Sequence, residues 1–174
     1  MLERLLSREK AAGPGIGATA PDFVLPIAAG ETFTLSETLR KAPVVLAFFK
    51  VSCSTCQFTF PFLDRLYRSY QKDGVEFWGI SQDDAVKSNA FSKQLGLTFP
   101  IALDTPAYAA SLLYHFDYVP TILLAGRDGK IRFRTTGFSR AGLNELSEEI
   151  ARLLGRTPER VFLANERVPE SKPG

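Results

Sequence analysis

Cys53 and Cys56 are the only thiols in the chain, and they stand as a Cys-x-x-Cys pair where a strand pattern turns into a helix pattern. A helix leaves the N–H groups of its first turn unpaired and carries partial positive charge at that end, so a thiolate just ahead of it is stabilised. That is the placement in which cysteine becomes a nucleophile. Cys53 is then the attacking sulfur. Cys56, one turn further in and more shielded, is the thiol that closes a short disulfide ring and releases product. Ser54 and Thr55 between them offer hydroxyl or backbone donors to the Cys53 sulfur. A structural metal site wants four ligands of Cys, His or acid type. With two cysteines and a single histidine, His115, far along the chain, no metal is expected. Two inert core cysteines are the other alternative, since free cysteine is often buried; the strand-to-helix junction argues against it.

The elements that must hold this pair are legible around it. Val44 to Phe49 is apolar throughout, the mark of a strand buried on both faces in a parallel sheet. From Ser54 the apolar residues Phe58, Phe62, Leu63, Leu66, Tyr67 and Tyr70 fall at helical spacing, and Gly74 ends the helix. Val75 to Ser81 is the next strand. A helix from Asp84 to Leu95 follows, with Val86, Ala90, Phe91 and Leu95 inward, which makes a parallel crossover. Phe99 to Leu103 is a short strand, Pro106 opens a helix to about Tyr114, and His115 caps its last carbonyls or transfers a proton. Ile122 to Ala125 and the strand after Asp128-Gly129 form a hairpin. Ser139 caps a final helix, Arg140 to Leu154, with Leu143, Leu146, Ile150, Leu153 and Leu154 inward. Ahead of the central strand, Phe23, Leu25 and Thr32 to Leu35 give a strand pair around Ala29-Gly30. Trp78 reads as core.

At 174 residues and 45% hydrophobic the chain suits one domain with a sizeable core. Its formal charge of +2 supplies no field for nucleic acid or an anionic membrane. No apolar run is long enough to span a bilayer, and the opening MLERLLSREKAAGPG has charges where a secretory signal needs an apolar region. The expected compartment is the cytoplasm as the sequence is written, or export or membrane tethering if an N-terminal leader is missing. In the cytosol a Cys-x-x-Cys pair is more often catalytic or metal-binding than a structural staple.

The chain resembles the thioredoxin-fold TlpA/ResA-like thiol-disulfide oxidoreductases, within the redoxin set that includes the AhpC/TSA peroxiredoxins. The resemblance runs from about Gly17 to Leu154. It is carried by APDFVLP (Ala20 to Pro26), GETFTLSETL (Gly30 to Leu39), the Cys-x-x-Cys pair with Pro61 in the helix behind it, FPIALD (Phe99 to Asp104), Val119-Pro120-Thr121, and GRDGKIRFRTTG (Gly126 to Gly137). The resemblance implies a thioredoxin-like three-layer α/β sandwich, a mixed central sheet flanked by helices, with an N-terminal strand pair. It implies that Val119-Pro120-Thr121 is a cis-proline loop facing the disulfide and, with Ser54 and Thr55, lines a groove for an extended substrate strand. Partners are then protein disulfides or dithiols and a thioredoxin-type reductant, with no cofactor. The chain departs from the pattern at Ser52, where the family usually has Trp, and at Ala47, where thioredoxins place a buried acid. Lys50, Asp83 and Asp84 are candidate modulators of the thiols, the two acids alternatively capping the next helix.

A peroxidase of the peroxiredoxin type is the second reading. Peroxiredoxins carry Pro seven and Thr or Ser three residues before the peroxidatic cysteine, and those positions hold Leu46 and Lys50. A third reading keeps the fold as a non-catalytic binding domain. The expected organisation is an amphipathic helix and linker over 1–16, a redoxin domain over 17–154, and a C-terminal extension over 155–174. In that extension Val161, Phe162 and Leu163 anchor while the last residues are disordered.

Overall fold

The computed structural model describes residues 13–174. The expected helix at Leu2 to Lys10 lies outside them. Its centre is β3 (Val44–Phe49), a strand with all six residues buried. Side chains alternate across a strand, and β3 feeds two cores accordingly. Val45, Ala47 and Phe49 belong to one apolar cluster, and Val44, Leu46 and Phe48 to the other. Such a strand must be covered on both sides, and a three-layer arrangement follows.

β3 pairs in parallel with β4 (Glu76–Ser81), and β4 with β5 (Ile101–Leu103). On its other side β3 pairs antiparallel with β6 (Thr121–Ala125), and β6 with β7 (Ile131–Thr136). The sheet order is β5-β4-β3-β6-β7. Over one face lie α2 (Ser54–Tyr70), α3 (Ala85–Leu95) and α5 (Arg140–Leu154), which contribute Phe60, Leu63, Phe91, Leu143 and Ile150. Over the other lie the antiparallel pair β1 (Val24–Pro26) and β2 (Thr32–Thr34), with α1 (Leu35–Leu39) and α4 (Ala109–Tyr114). Trp78 is core, stacked on Phe33 at 4.1 Å. This is the thioredoxin-like mixed sandwich with its N-terminal strand pair.

The margins of the sheet are closed by one stretch of chain. Thr19 bridges to Lys130, and Gly17 and Ala18 exchange backbone bonds with Ile131, which covers the start of β7. A few residues later Ile27 bridges to Ala102 and the Ala28 N–H donates to Ile101, which covers β5. An uncovered strand edge is a template for pairing with another chain.

Several elements differ from the periodicity reading. In α3, Val86 and Ala90 face solvent, and Ser88 is buried in their place with its hydroxyl 2.7 Å from that of Ser81. A small hydroxyl with a buried partner costs little inside, and a pattern of apolar residues does not show it. The helix expected from Pro106 begins only at Ala109. The Asp104 carboxylate reaches past Pro106 to accept the N–H groups of Ala110 and Ser111 at 2.9 and 2.8 Å, so the start is fixed from outside the segment. The last carbonyls of α4 are taken by Arg134, not by His115, whose side chain is exposed. The closing residues, expected to be disordered, form a strand, β9 (Ser171–Lys172), against β8 (Phe138–Ser139).

Candidate active site

The site is built where β3 stops. The chain turns over Lys50 to Ser52, with the Cys53 N–H donating to the Lys50 carbonyl at 3.2 Å. Val51 in the middle of this turn is clamped from two sides. Its N–H donates to Asp83 Oδ2 at 2.7 Å, and its carbonyl accepts from Gln57 Nε2 at 2.9 Å. Cys53 is the N-cap of α2, and its sulfur accepts the backbone N–H of Cys56 at 3.1 Å. A capping group satisfies one of the donors the helix start leaves over; here that group is a thiol.

Both cysteines are free thiols. Cys53 is partly exposed and also lies 3.4 Å from the Val119 carbonyl, to which its S–H donates. Cys56 is fully buried in the cluster that holds Ala47 and Phe60. Burial pushes its thiol far above the ordinary cysteine value, and the hydrogen bond with Cys53 adds to the rise. One sulfur is therefore open to solvent, and the other lies sealed behind it, where burial favours the thiol over the thiolate.

The loop opposite is set by Pro120, whose bond to Val119 is cis, as the resemblance implied. The Pro120 carbonyl accepts the N–H of Gly137 at 2.8 Å. Val119 is half-buried beside Cys53. Thr121 does not line the groove: it is fully buried, its hydroxyl donating to the Tyr118 carbonyl at 2.8 Å, so it braces the loop from behind. Ser54 is exposed, and Thr55 is buried with its hydroxyl donating to the Pro173 carbonyl at 2.6 Å.

The three charged candidates separate. Asp84 caps α3, accepting from the Lys87 N–H at 2.9 Å, the bland alternative for that residue. Asp83 supports the turn before Cys53 through Val51. Lys50 is exposed, and its bond to the site runs through its carbonyl. Gln57, Gly137 and the last residues of the chain were not singled out from the sequence. Their parts depend on partners distant in the chain, except Gln57, whose partner Val51 is six residues away. Among the described residues no group of three or more His, Cys, Asp or Glu gathers as a metal site.

The AhpC/TSA family model matches residues 16–134. The chain belongs to the AhpC/TSA family. Within that family it is 33% identical over 123 residues to the thiol-disulfide oxidoreductase ResA of Geobacillus thermodenitrificans, covering 70% of each chain. It is 30% identical over 122 residues to the ResA of Bacillus subtilis, covering 70% of this chain and 67% of that one. Among solved structures, a candidate thiol:disulfide interchange protein DsbE from Chlorobium tepidum superposes with a TM-score of 0.74 at 29% identity, over 82% of this chain and 99% of that one. A candidate protein disulfide isomerase from Bacteroides thetaiotaomicron superposes at 0.76 with 28% identity, over 84% and 95%. This AhpC/TSA member is a thiol-disulfide oxidoreductase, and the peroxidase reading is not favoured. Position 50, where a peroxiredoxin would present a hydroxyl, holds an exposed lysine.

Proposed function

We propose that Cys53 and Cys56 perform the exchange in turn, on disulfides carried by proteins. The Cys53 thiolate, oriented by the Cys56 N–H, attacks one sulfur of a substrate disulfide. That S–S bond breaks, a Cys53–substrate mixed disulfide forms, and the other substrate sulfur leaves as a thiolate that takes up a proton. Cys56 then loses its proton and attacks the Cys53 sulfur. A Cys53–Cys56 disulfide forms, and the second substrate sulfur leaves as a thiol. Two electrons pass to the substrate and two thiol protons are redistributed to it. The same steps in reverse oxidise a substrate dithiol.

The observation that carries this reading is the asymmetry of the pair: Cys53 caps the helix and is partly exposed, whereas Cys56 is sealed beneath it. A thioredoxin-type dithiol regenerates the reduced form by attacking the resulting disulfide at Cys53, the sulfur open to a partner. Residues 17–154 are proposed as the catalytic domain. Placement is proposed as one of two alternatives, the cytoplasm or, with an N-terminal leader ahead of this sequence, export or membrane tethering, and fractionation of cells expressing the natural gene decides between them. Among the described residues no helix is long and apolar enough to cross a membrane.

Insulin-disulfide reduction tests the roles. Cys53→Ser is expected to abolish it. Cys56→Ser is expected to accumulate a mixed disulfide with substrate that only added dithiol releases. Equal residual activity in both variants would sink the assignment of attacker and resolver.

A further inference from the structure

The last five residues lie across the mouth of the two-thiol site. In the β8–β9 pair, Lys172 stands opposite Phe138 and Ser171 opposite Ser139, and the Glu170 carbonyl accepts the Arg140 N–H at 2.9 Å. The Pro173 carbonyl then takes the Thr55 hydroxyl, between the two cysteines, at 2.6 Å. A Cβ placed on Gly174 would lie only 2.6 Å from the Val119 carbonyl oxygen. The backbone of Gly174 thus runs beside the same oxygen that the Cys53 thiol meets at 3.4 Å, with no room for a side chain between them. Lys172 Nζ sits 4.6 Å from the centroid of the Phe58 ring. At Gly137, with φ +75°, a side chain would collide with the Lys172 carbonyl, so the strap passes where the chain has none.

These are the contacts an extended substrate segment makes when it adds to a sheet edge: antiparallel backbone pairing, with side chains fixed by local pockets. We propose that residues 170–174 are a built-in occupant of the peptide-docking strip, a strap that a protein substrate must displace before its disulfide reaches Cys53. The strap also describes the partner the strip fits: an extended segment antiparallel to Phe138–Ser139, with a basic side chain over Phe58. This rests on Cys53 being the attacking thiol. Upstream the tail is held independently, by buried Val161 and by the two-point pairing of Arg65 with Glu166 at 2.6 and 2.9 Å. Ser171 to Gly174 are all exposed. The strap can therefore lift while its base stays fixed.

The test compares the full chain with a variant lacking residues 170–174 and with full-length Lys172→Glu. Insulin reduction and iodoacetamide alkylation of Cys53 are followed in all three. A strap docked about nine-tenths of the time raises the apparent KM about tenfold, since only the open fraction binds. Removing it should lower KM by that factor at unchanged kcat, and Lys172→Glu should move KM the same way by less. A synthetic peptide of residues 168–174, added to the shortened variant, should inhibit competitively. Alkylation should hardly change, because the thiol is already partly exposed to a small reagent with the strap in place. An unchanged or raised KM in both variants, or a peptide that does not compete, overturns the strap. Failure of Cys53 to alkylate in any of the three would instead overturn its attacking role. If the shortened variant does not fold, Lys172→Glu and the peptide, added to Lys172→Glu, decide the matter.

Discussion

Asp83 and Asp84 are adjacent acids with different work, and substitution separates them. Asp83 accepts the Val51 N–H and so holds the turn that delivers Cys53. Losing a hydrogen bond to a charged acceptor costs about 1.5–3 kcal/mol, so Asp83→Ala should show that loss in urea unfolding, together with a fall in kcat/KM. Asp83→Asn keeps an oxygen at the same place and should recover most of both. Full loss in Asp83→Asn would mean that the residue moves protons and does not merely position the turn. Asp84→Ala should cost about 1 kcal/mol, the worth of an N-cap, and leave exchange intact. In the proposed resolving step Cys56 must give up a proton that its burial makes it resist losing. Ala47, in the same buried cluster, supplies no carboxylate to take it. The rate of product release from a preformed mixed disulfide should therefore climb across pH 6 to 9 without levelling, by up to about tenfold per unit. A plateau near neutral pH, read by quenched-flow trapping, would contradict this.

Among the elements, α2 is the one on which the site depends, and a buried acid in it carries more than its composition suggests. Asp64 is 5% exposed, and its carboxylate accepts the Thr98 N–H at 2.6 Å, the Thr98 hydroxyl at 2.9 Å and Arg68 Nε at 2.8 Å. It bolts the active-site helix to the approach of β5. Asp64→Ala leaves these donors unpaired beside the core and should cost about 3 kcal/mol, measured as a shift of the urea midpoint at constant slope. The helix itself was legible in advance, because its apolar spacing and the strand before it are local signals. So were the caps at Ser139 and Asp84, each bonded within its own first turn. Most of what escaped the sequence depends on partners far away. Asp64 meets Thr98 from 34 residues away and Thr55 meets Pro173 from 118; Asp104, only six residues from Ala110, was missed because its bond to the start of α4 spans a proline. The place of the two cysteines at the start of α2 was legible because a strand pattern meets a helix pattern there, and the cis bond before Pro120 through the family resemblance. Thr121 was placed in the groove because its neighbours are there, and only the register of β6 shows its hydroxyl turned inward.

Taken as a whole, the protein should be less stable in base for a reason that can be assigned. Cys56 and Tyr114 are both raised, each chiefly by burial. Above the ordinary values of about 8.5 for cysteine and about 10 for tyrosine the unfolded chain sheds these protons while the folded one keeps them. The unfolded state then binds fewer protons, so stability falls as pH rises, by about 1.4 kcal/mol per unit for each group. Denaturant midpoints of the reduced protein between pH 8 and 10.5 should show it, and Cys56→Ala should remove the earlier part of the slope. On the acid side Glu166 is held at about 2, first by its hydrogen bond to Arg65 and then by the Leu163 N–H. Its contribution is present above the usual carboxylate range and fades as pH falls towards 2. The base of the C-terminal segment should accordingly stay seated through mild acid.

The closed margins of the sheet bear on how the molecule behaves in a crowd. Residues 17–19 guard one outer strand and 27–28 the opposite one, so a dozen consecutive positions police both flanks. A protease cut that freed either end of this girdle is therefore expected to bare unpaired backbone at a rim and favour sticking between copies, read as a rise in light scattering after limited proteolysis.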